Sequence, residues 1–280
     1  MSLIDAADST NAFDTAERAM WTGRANAYAA SFARLCAHPV GELLDAAGVE
    51  EGTYVLDVGT GTGTAAMAAL ARGARVCAVD ADAGMVDAAR AGGVEARVAV
   101  LPELPFPDGE FDAVVGNFVI NHVGRPRAAL AELRRVLKPG GRVALTLWGA
   151  RRGAGQELFG RALAAAGAVV PADLPRLDPD EDFDRTADGL AALLTEAGFH
   201  DGRVAELEWD HGATVDEWWG GAAGGVATIG WIVGSQEPEA VVRIRRHYES
   251  LSAEFDGGGG ELALPHRALL GWGTARPVTR

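Results

Sequence analysis

The sequence predicts an α/β protein with a parallel sheet that helices cover on both faces. Between residues 53 and 148, short apolar segments rich in valine alternate with helical segments of roughly ten residues. Strands that are apolar throughout are typical of a sheet buried on both faces. The chain has 280 residues, 48% of them hydrophobic, which is enough for the core of one elaborated domain.

The alternating region yields five predicted strands and three predicted helices between them. Asp82 is a good N-cap for the second helix, and Pro126 suits the first turn of the third. Gly73 ends the first helix. The predicted strands are 53–59, 75–80, 96–101, 112–117 and 142–148, and the predicted helices are 64–72, 82–91 and 126–137.

The flanking regions are less regular. Residues 12–48 have helical spacing that is interrupted at Pro39, and beyond Trp148 the pattern loosens into an acidic, proline-bearing loop. His211 is expected at the surface. Further predictions are a helix at 186–197, a strand at 202–209, a helical insertion at 214–255, a glycine turn at 257–260 and a last strand at 261–273.

These elements predict one domain, 1–280, with recognisable parts. The parts are an N-terminal helical lid at 1–50, a cofactor-binding core at 51–149, cap insertions at 150–185 and 210–258, and the end of the sheet at 186–209 and 259–280.

Composition excludes several classes of function. The net charge of −14 would repel a phosphate backbone, so nucleic acid is not an expected partner. The two cysteines, Cys36 and Cys77, lack metal-ligand spacing and form no disulfide framework, and no metal site is expected. We find neither a secretory signal nor an apolar run long enough to span a bilayer, which predicts a cytoplasmic protein without a membrane partner. The sequence leaves the oligomeric state open.

A glycine loop follows the first predicted strand in the stretch VLDVGTGTGT. Gly59, Gly61 and Gly63 allow a tight turn and a close approach of the backbone to a ligand. A dinucleotide fingerprint would place its third glycine where Thr64 stands. Asp57, directly before the loop, would repel a pyrophosphate and attract an ammonium group. The loop therefore favours a positively charged nucleoside cofactor.

An acid at the end of the second predicted strand supports a nucleoside ligand. Asp80 is positioned to accept hydrogen bonds from two ribose hydroxyls, because Asp82 is the better cap for the following helix. Met85 lies one turn into that helix, where it either packs on an adenine face or belongs to the core.

Four motifs in order resemble those of the class I S-adenosylmethionine-dependent methyltransferases, and most closely the ubiquinone/menaquinone-biosynthesis type. The motifs read VLDVGTGTG, VDADAGM, LPFPDGEFDAVVGNFVINHV and LRRVLKPGGRVAL. The resemblance covers about residues 53–148 and continues weakly through LLTEAGF and the final strand. It implies a Rossmann-like sheet of seven strands in the order 3-2-1-4-5-7-6, with the last strand antiparallel and a helical cap.

The resemblance also implies a cofactor, S-adenosylmethionine, and the residues that bind it. Asp57 and the glycine loop would hold the methionyl amine and carboxylate, and Asp80 would hold the ribose. Many relatives bind the adenine amine with an Asp where this chain has Val100, so Glu103 or backbone groups would replace it. The implied cofactor-binding residues are Asp57, Gly59, Thr60, Gly61, Gly63, Asp80, Ala81, Met85, Leu101, Glu103 and Asn117.

Candidate acceptor-side residues follow the fourth strand or lie in the irregular segments. His122 is a candidate base for an acceptor hydroxyl or amine, or else a packed histidine. Tyr28, with Trp21, either reaches the site from the N-terminal helices or packs in the core. The tryptophans that would line an acceptor pocket, or instead hold the cap to the sheet, are Trp148, Trp218, Trp219 and Trp231.

We therefore expect in-line transfer of a methyl group from S-adenosylmethionine to O, N or C of a small molecule, with S-adenosylhomocysteine as the product. A secondary metabolite is one possible acceptor. One alternative is a nicotinamide-dependent reductase, which Thr64 and Asp57 disfavour. Another is a member of the fold that binds the donor without transferring its methyl group.

Overall fold

The computed structural model describes residues 12–172 and 174–275, and its centre is an eight-stranded sheet. The predicted lid and the last predicted segment thus lie partly outside the described residues, at 1–11 and 276–280. The strands are β1 Tyr54–Val58, β2 Arg75–Asp80, β3 Ala96–Val98, β4 Phe111–Asn117, β5 Leu137–Leu147, β6 Phe199–Thr214, β7 Asp256–Gly258 and β8 Glu261–Ala275.

The strand order matches the prediction. The main path runs β3-β2-β1-β4-β5-β8-β6, and the three-residue β7 pairs only with β8. Strands β1 to β5 pair in parallel, and β8 runs antiparallel to both β5 and β6. With the short β7 set aside, β8 is the seventh strand, so the order 3-2-1-4-5-7-6 with an antiparallel last strand is confirmed.

Helices cover both faces of the sheet, as the apolar strands predict. Residues of α4, α5 and α6 pack on one face, and residues of α7 and α9 pack on the other. The helices are α1 Ala12–Trp21, α2 Ala25–Ala29, α3 Phe32–Ala37, α4 Val40–Ala46, α5 Thr64–Ala71, α6 Ala83–Ala91, α7 Pro126–Val136, α8 Ala154–Ala165, α9 Ala187–Glu196, α10 Val215–Ala223, α11 Ala227–Gly234 and α12 Pro238–Ser252.

A third apolar cluster forms the cap from α8, α10, α11, α12 and the starts of α3 and β8. The insertion at 214–255 is helical, as predicted. Helix α8 was not predicted, because Gly155 and Gly160 weaken its local helical signal. Gly155 is required by packing, since a Cβ there would lie 2.8 Å from Leu264. Tertiary contacts with β8 thus stabilise α8, whose own residues have a weak helical preference.

Strand β6 is much longer than the predicted strand at 202–209. Its acidic residues and Arg203 are exposed, while alternate residues from Trp209 onward point inward. The last residue pair between β5 and β8 is Leu147 with Leu269, whereas β6 and β8 remain paired from there to Thr214 and Glu261. We call this two-stranded segment, residues 209–214 with 261–266, the ribbon. It extends past the carboxyl end of β5 and lies under the cap.

The prediction that His211 lies at the surface is wrong. His211 is only 3% exposed, because it occupies an inward position of the ribbon beneath the cap. The N-terminal region is helical as expected but bends into four short helices, α1 to α4. No helix in the described part of the chain has the length and apolar character needed to cross a bilayer.

Candidate active site

A cavity of about 740 Å³ opens at the carboxyl ends of β1, β2 and β4. This edge is where open α/β sheets bind ligands, because loops and helix N-termini converge there. Helices α1 to α3 close one side of the cavity, and the cap and the ribbon close another. The volume is within the range for ligand pockets, which is roughly 300 to 1,000 Å³.

The glycine loop after β1 forms part of the cavity wall. Gly59, Gly61 and Gly63 all have positive φ, a conformation that glycine adopts without strain. A Cβ on Gly59 would lie 2.3 Å from Val119, and one on Gly61 would lie 3.3 Å from the ring of Tyr28. Gly59 and Gly61 line the cavity, while Gly63 packs against α6. The loop needs glycine both for its backbone conformation and for its close packing.

Asp57 lies directly behind the loop and is fully buried. Its Oδ2 accepts a hydrogen bond from the Thr60 hydroxyl at 2.7 Å, and its Oδ1 has no partner of ordinary geometry among residues 12–172 and 174–275. Burial raises the pKa of Asp57 to about 7, although the Thr60 hydroxyl and the Ala66 amide favour the charged form. This is a buried acid in need of a cationic or hydrogen-bonding partner.

Asp80 ends β2 and lines the cavity. The Gly61 amide donates to its Oδ2 at 2.8 Å, and the Asp82 amide donates to its Oδ1 at 2.9 Å. Burial raises its pKa, while these backbone hydrogen bonds counteract the shift. Each carboxylate oxygen has a second lone pair, so the pair of oxygens can still accept two further hydrogen bonds. Asp82 caps α6 through the Met85 amide, as predicted.

The wall next to Asp80 is mostly apolar. Ala81, Met85, Val100 and Leu101 line the cavity there. Glu103 does not line it, whereas Asp82 does, next to Ala81.

Asn117, at the end of β4, is held on both sides. Its Nδ2 donates to the Cys36 carbonyl at 2.8 Å, and its Oδ1 accepts from the Thr146 hydroxyl at 2.6 Å. These bonds fix an amide at the cavity wall and tie the N-terminal helices to the sheet edge. We call Gly59, Gly61, Asp80 and Asn117 the glycine-loop side of the cavity.

His122 forms a hydrogen-bonded pair with a buried acid of α1. Its Nδ1 lies 2.8 Å from Oε2 of Glu17, and both residues line the cavity. Trp21 packs edge-on against the imidazole, with ring centroids 5.3 Å apart. Because a carboxylate can only accept, Nδ1 carries the proton and Nε2 of a neutral ring keeps its lone pair. The arrangement is that of a base with an orienting carboxylate.

Tyr28 lines the cavity between the glycine loop and Trp21. Burial raises its pKa well above the usual value, and the neighbouring Cys36 adds to the shift. Burial also raises the pKa of Cys36 to about 12. Both groups therefore stay protonated at neutral pH, and Tyr28 can donate a hydrogen bond but is poorly suited to accept a proton.

Aromatic residues form another part of the cavity wall. Phe118 stacks on Trp148 with centroids 4.0 Å apart, and His266 packs against Trp148 and Trp218. We call Phe118, Trp148, Trp218 and His266 the aromatic side of the cavity. It joins the residues directly after β4 and β5 with one residue of the cap and one of the ribbon.

The predicted site residues divide into two groups. Asp57, Thr60, Gly63 and Glu103 lie behind or beside the cavity wall, Trp219 packs within the cap, and Trp231 is 40% exposed on α11. The predicted residues that line the cavity are Tyr28, Gly59, Gly61, Asp80, Ala81, Met85, Leu101, Asn117, His122, Trp148 and Trp218.

Sequence reasoning missed Glu17, Cys36, Phe118 and His266, all of which line the cavity. Two of them carried a usable signal. Glu17 shares one buried helical face of α1 with Asp14 and Met20, where an apolar residue is expected. His266 occupies an inward position of β8, in alternation with leucines. Polar residues on buried faces are informative, because burial without a role is costly.

The chain is similar to known methyltransferases. The family described as "Methyltransferase domain" matches residues 56–145. A demethylmenaquinone methyltransferase of Clavibacter sepedonicus is 46% identical over 34% of this chain and 40% of its own length. Another, of Renibacterium salmoninarum, is 33% identical over 57% of this chain and 71% of its own length. The chain therefore spans less than half of the first relative and most of the second.

The fold has solved counterparts. The crystal structure of the YcgJ protein of Bacillus subtilis superposes with a TM-score of 0.54 and 22% identity, over 85% of this chain and 98% of that one. At this identity the likeness shows the fold alone.

Proposed function

Since the chain belongs to the class I S-adenosylmethionine-dependent methyltransferases of the menaquinone/ubiquinone-biosynthesis type, we propose that it methylates a small aromatic molecule. The observation that carries this proposal is a single cavity with two chemically different sides. The glycine-loop side offers Asp80 and a cradle of backbone, and the aromatic side offers flat apolar surface. One chamber is thus suited to hold the methyl donor and the acceptor together.

The residues on the glycine-loop side fit S-adenosylmethionine. Asp80 keeps free lone pairs that suit the two ribose hydroxyls, and Gly59 and Gly61 present backbone at the cavity wall. Asp57, buried behind the loop with an unsatisfied oxygen, favours a nearby ammonium group. When bound, the donor supplies a methyl group already activated by its sulfonium charge, so the chain mainly positions the reactants.

We propose that His122 accepts a proton from the acceptor, with Glu17 as its positioning residue. The 2.8 Å contact with Glu17 holds the imidazole so that Nε2 is the free nitrogen, and Trp21 restricts the ring further. Tyr28 serves as a hydrogen-bond donor, because its raised pKa keeps the hydroxyl protonated.

For the acceptor, we propose a quinone-type aromatic molecule, in its hydroxylated form. Two observations support this choice: the aromatic side of the cavity matches a flat ring, and two similar proteins are named demethylmenaquinone methyltransferases.

Calorimetric titration with S-adenosylhomocysteine tests the proposed function. We expect binding by the wild-type protein and more than tenfold weaker binding by Asp80→Asn, because the hydrogen bonds from the ribose would be made to a neutral amide. Asp112→Asn is the matched control. Asp112 also accepts a hydrogen bond from a backbone amide, that of Tyr54, but it lies outside the cavity. A wild-type protein that fails to bind the product would overturn the proposal.

Two further measurements address the alternatives. Fluorescence titration with NADH should show no saturable binding, since the relatives named above are methyltransferases and not nicotinamide-dependent reductases. Incubation with labelled S-adenosylmethionine and hydroxylated aromatic acceptors should release S-adenosylhomocysteine. A protein that binds the donor and never forms this product would be a binding member of the fold without transferase activity.

A further inference from the structure

The ribbon places two histidines beneath the cap, and they have different surroundings. Residues 262, 264 and 266 of β8 point inward in alternation, as do 209, 211 and 213 of β6. His211 and His266 are therefore both buried, at 3% and 2% exposure. Only His266 lines the cavity.

The tautomer of His266 follows from one hydrogen bond. Its Nδ1 lies 2.7 Å from the Leu264 carbonyl oxygen, and a carbonyl oxygen can only accept. Nδ1 therefore carries the proton, and Nε2 of the neutral ring carries a lone pair. Within the described ranges, the His266 ring forms a hydrogen bond through Nδ1 and none through this Nε2. A buried histidine with one satisfied nitrogen and one available acceptor faces a chamber large enough for a ligand.

The neighbours of His266 define what such a ligand would contact. Its ring centroid lies 6.2 Å from that of Trp148 and 5.4 Å from that of Trp218, whose plane is nearly perpendicular. Trp148 in turn stacks on Phe118, directly after Asn117. The buried Trp218 Nε1 has no hydrogen-bond partner among the described residues. A flat ring bound between the Trp148 and Trp218 indoles would have its polar substituent near two unpaired groups. These are Nε2 of His266, an acceptor, and Nε1 of Trp218, a donor.

His211 shows by contrast what a structural histidine looks like in the same ribbon. Its Nδ1 lies 3.2 Å from Nε2 of His38, so the ring is bonded within the protein. Burial lowers the pKa of His211 and of His266 to about 4. Both rings are therefore neutral at physiological pH, when an unprotonated Nε2 accepts hydrogen bonds. A base this weak holds a proton poorly, so His266 is unsuited to the proton-accepting role that we propose for His122.

We propose that Nε2 of His266 accepts a hydrogen bond from a hydroxyl group of the aromatic acceptor and so fixes the orientation of its ring. This inference rests on the proposed function, because it names a specificity-determining residue of that same cavity. His266 is a binding residue in this scheme and takes no proton. An acceptor whose hydroxyl is blocked would leave Nε2 unpaired and bind less well.

A pair of probes isolates this hydrogen bond. 2-Naphthol can donate a hydrogen bond, whereas 2-methoxynaphthalene, of nearly the same shape, cannot. The preference for 2-naphthol is the ratio of the dissociation constants of the two probes, measured by calorimetry with S-adenosylhomocysteine present. We expect this preference to be about tenfold smaller in His266→Phe than in the wild-type protein. His266→Gln offers an amide oxygen as acceptor and should keep part of the preference.

His211→Phe is the control, because His211 lies in the same ribbon and packs against Trp218 and His266 but does not itself line the cavity. It should leave the preference unchanged. The inference is overturned if His266→Phe changes the preference less than twofold, if His211→Phe changes it equally, or if the wild-type protein binds neither probe. Failure of S-adenosylhomocysteine to bind would instead refute the proposed function, and the two results are distinguishable because the probes can be titrated alone.

Discussion

The glycine-loop side and the aromatic side of the cavity differ in how the chain builds them. Most of the glycine-loop side comes from 59–80, a short stretch that contains the loop, α5 and β2. The aromatic side brings together Phe118, Trp148, Trp218 and His266, which come from four separate parts of the fold. One side is specified locally and the other by long-range packing.

Burial favours the neutral form of titratable groups near both sides, but the surroundings of these groups differ. Burial raises the pKa values of Asp80 and of Asp57 behind the loop, where hydrogen-bond donors favour the charged forms. On the aromatic side, burial lowers the pKa of His266 and leaves the ring neutral. The comparison indicates that the first side is built for a charged ligand and the second for a neutral one.

The largest expected effect is a difference in stability between variants of two tryptophans, Trp218 on α10 and Trp231 on α11. Trp218→Ala removes a side chain that is 4% exposed and contacts Phe32, Phe159 and His266, and it should lower the free energy of unfolding by about 3 to 5 kcal/mol. Trp231→Ala, at a 40% exposed position, should cost less than about 1 kcal/mol. Chemical denaturation measures both. Equal costs would show that the cap does not close over the aromatic side as described.

The next effect probes the glycine-loop side. Gly59→Ala combines positive φ with a Cβ 2.3 Å from Val119, so we expect a loss of about 2 to 4 kcal/mol and abolished binding of S-adenosylhomocysteine. Gly52→Ala is the matched control, since Gly52 has φ of 82° but nothing within 4 Å of its Cβ. It should cost only about 1 kcal/mol and leave binding intact. Similar losses in both variants would mean that strain alone, and not close packing, matters at Gly59.

Asp57 should make the protein less stable as the pH rises. Its pKa is raised in the folded state from 3.8 to about 7, so the folded protein binds this proton more tightly, and stability is lost between these values. Asp57→Asn lacks the titration and can still accept from Thr60. Its free energy of unfolding relative to wild type should therefore increase by about 3 kcal/mol between pH 4 and pH 7. A difference that stays constant across this range would show that folding does not raise the pKa of Asp57.

His211, in the ribbon beside the aromatic side, should show the opposite slope, with a smaller effect. The pKa of His211 is lowered from 6.5 to about 4, so the folded protein binds this proton less tightly and loses stability as the pH falls from 6.5 toward 4. His211→Gln removes the titration. The advantage of the wild-type protein over this variant should shrink by about 1 to 2 kcal/mol between pH 7.5 and pH 5 in urea denaturation. A growing advantage at acid pH would show that His211 is not buried neutral.

Most of the regular core could be predicted because its signals are local. The spacing of the glycines, Asp80 at a strand end and Asp82 as a cap each depend on neighbours within a few residues. Helix α8 and the full length of β6 could not be predicted, because Gly155 and the polar residues of β6 have weak or misleading local preferences. Packing against β8 outweighs those preferences.

The same division applies to the cavity. By itself the sequence determined the α/β class, the strand order through its resemblance, and the residues around the glycine loop, because backbone conformation and capping act over short distances. Only the tertiary structure decided that Glu17 meets His122, that Trp231 stays outside, and that His266 faces the chamber. These contacts join residues far apart in the chain, and which of them form depends on how the cap and the ribbon fold over the sheet.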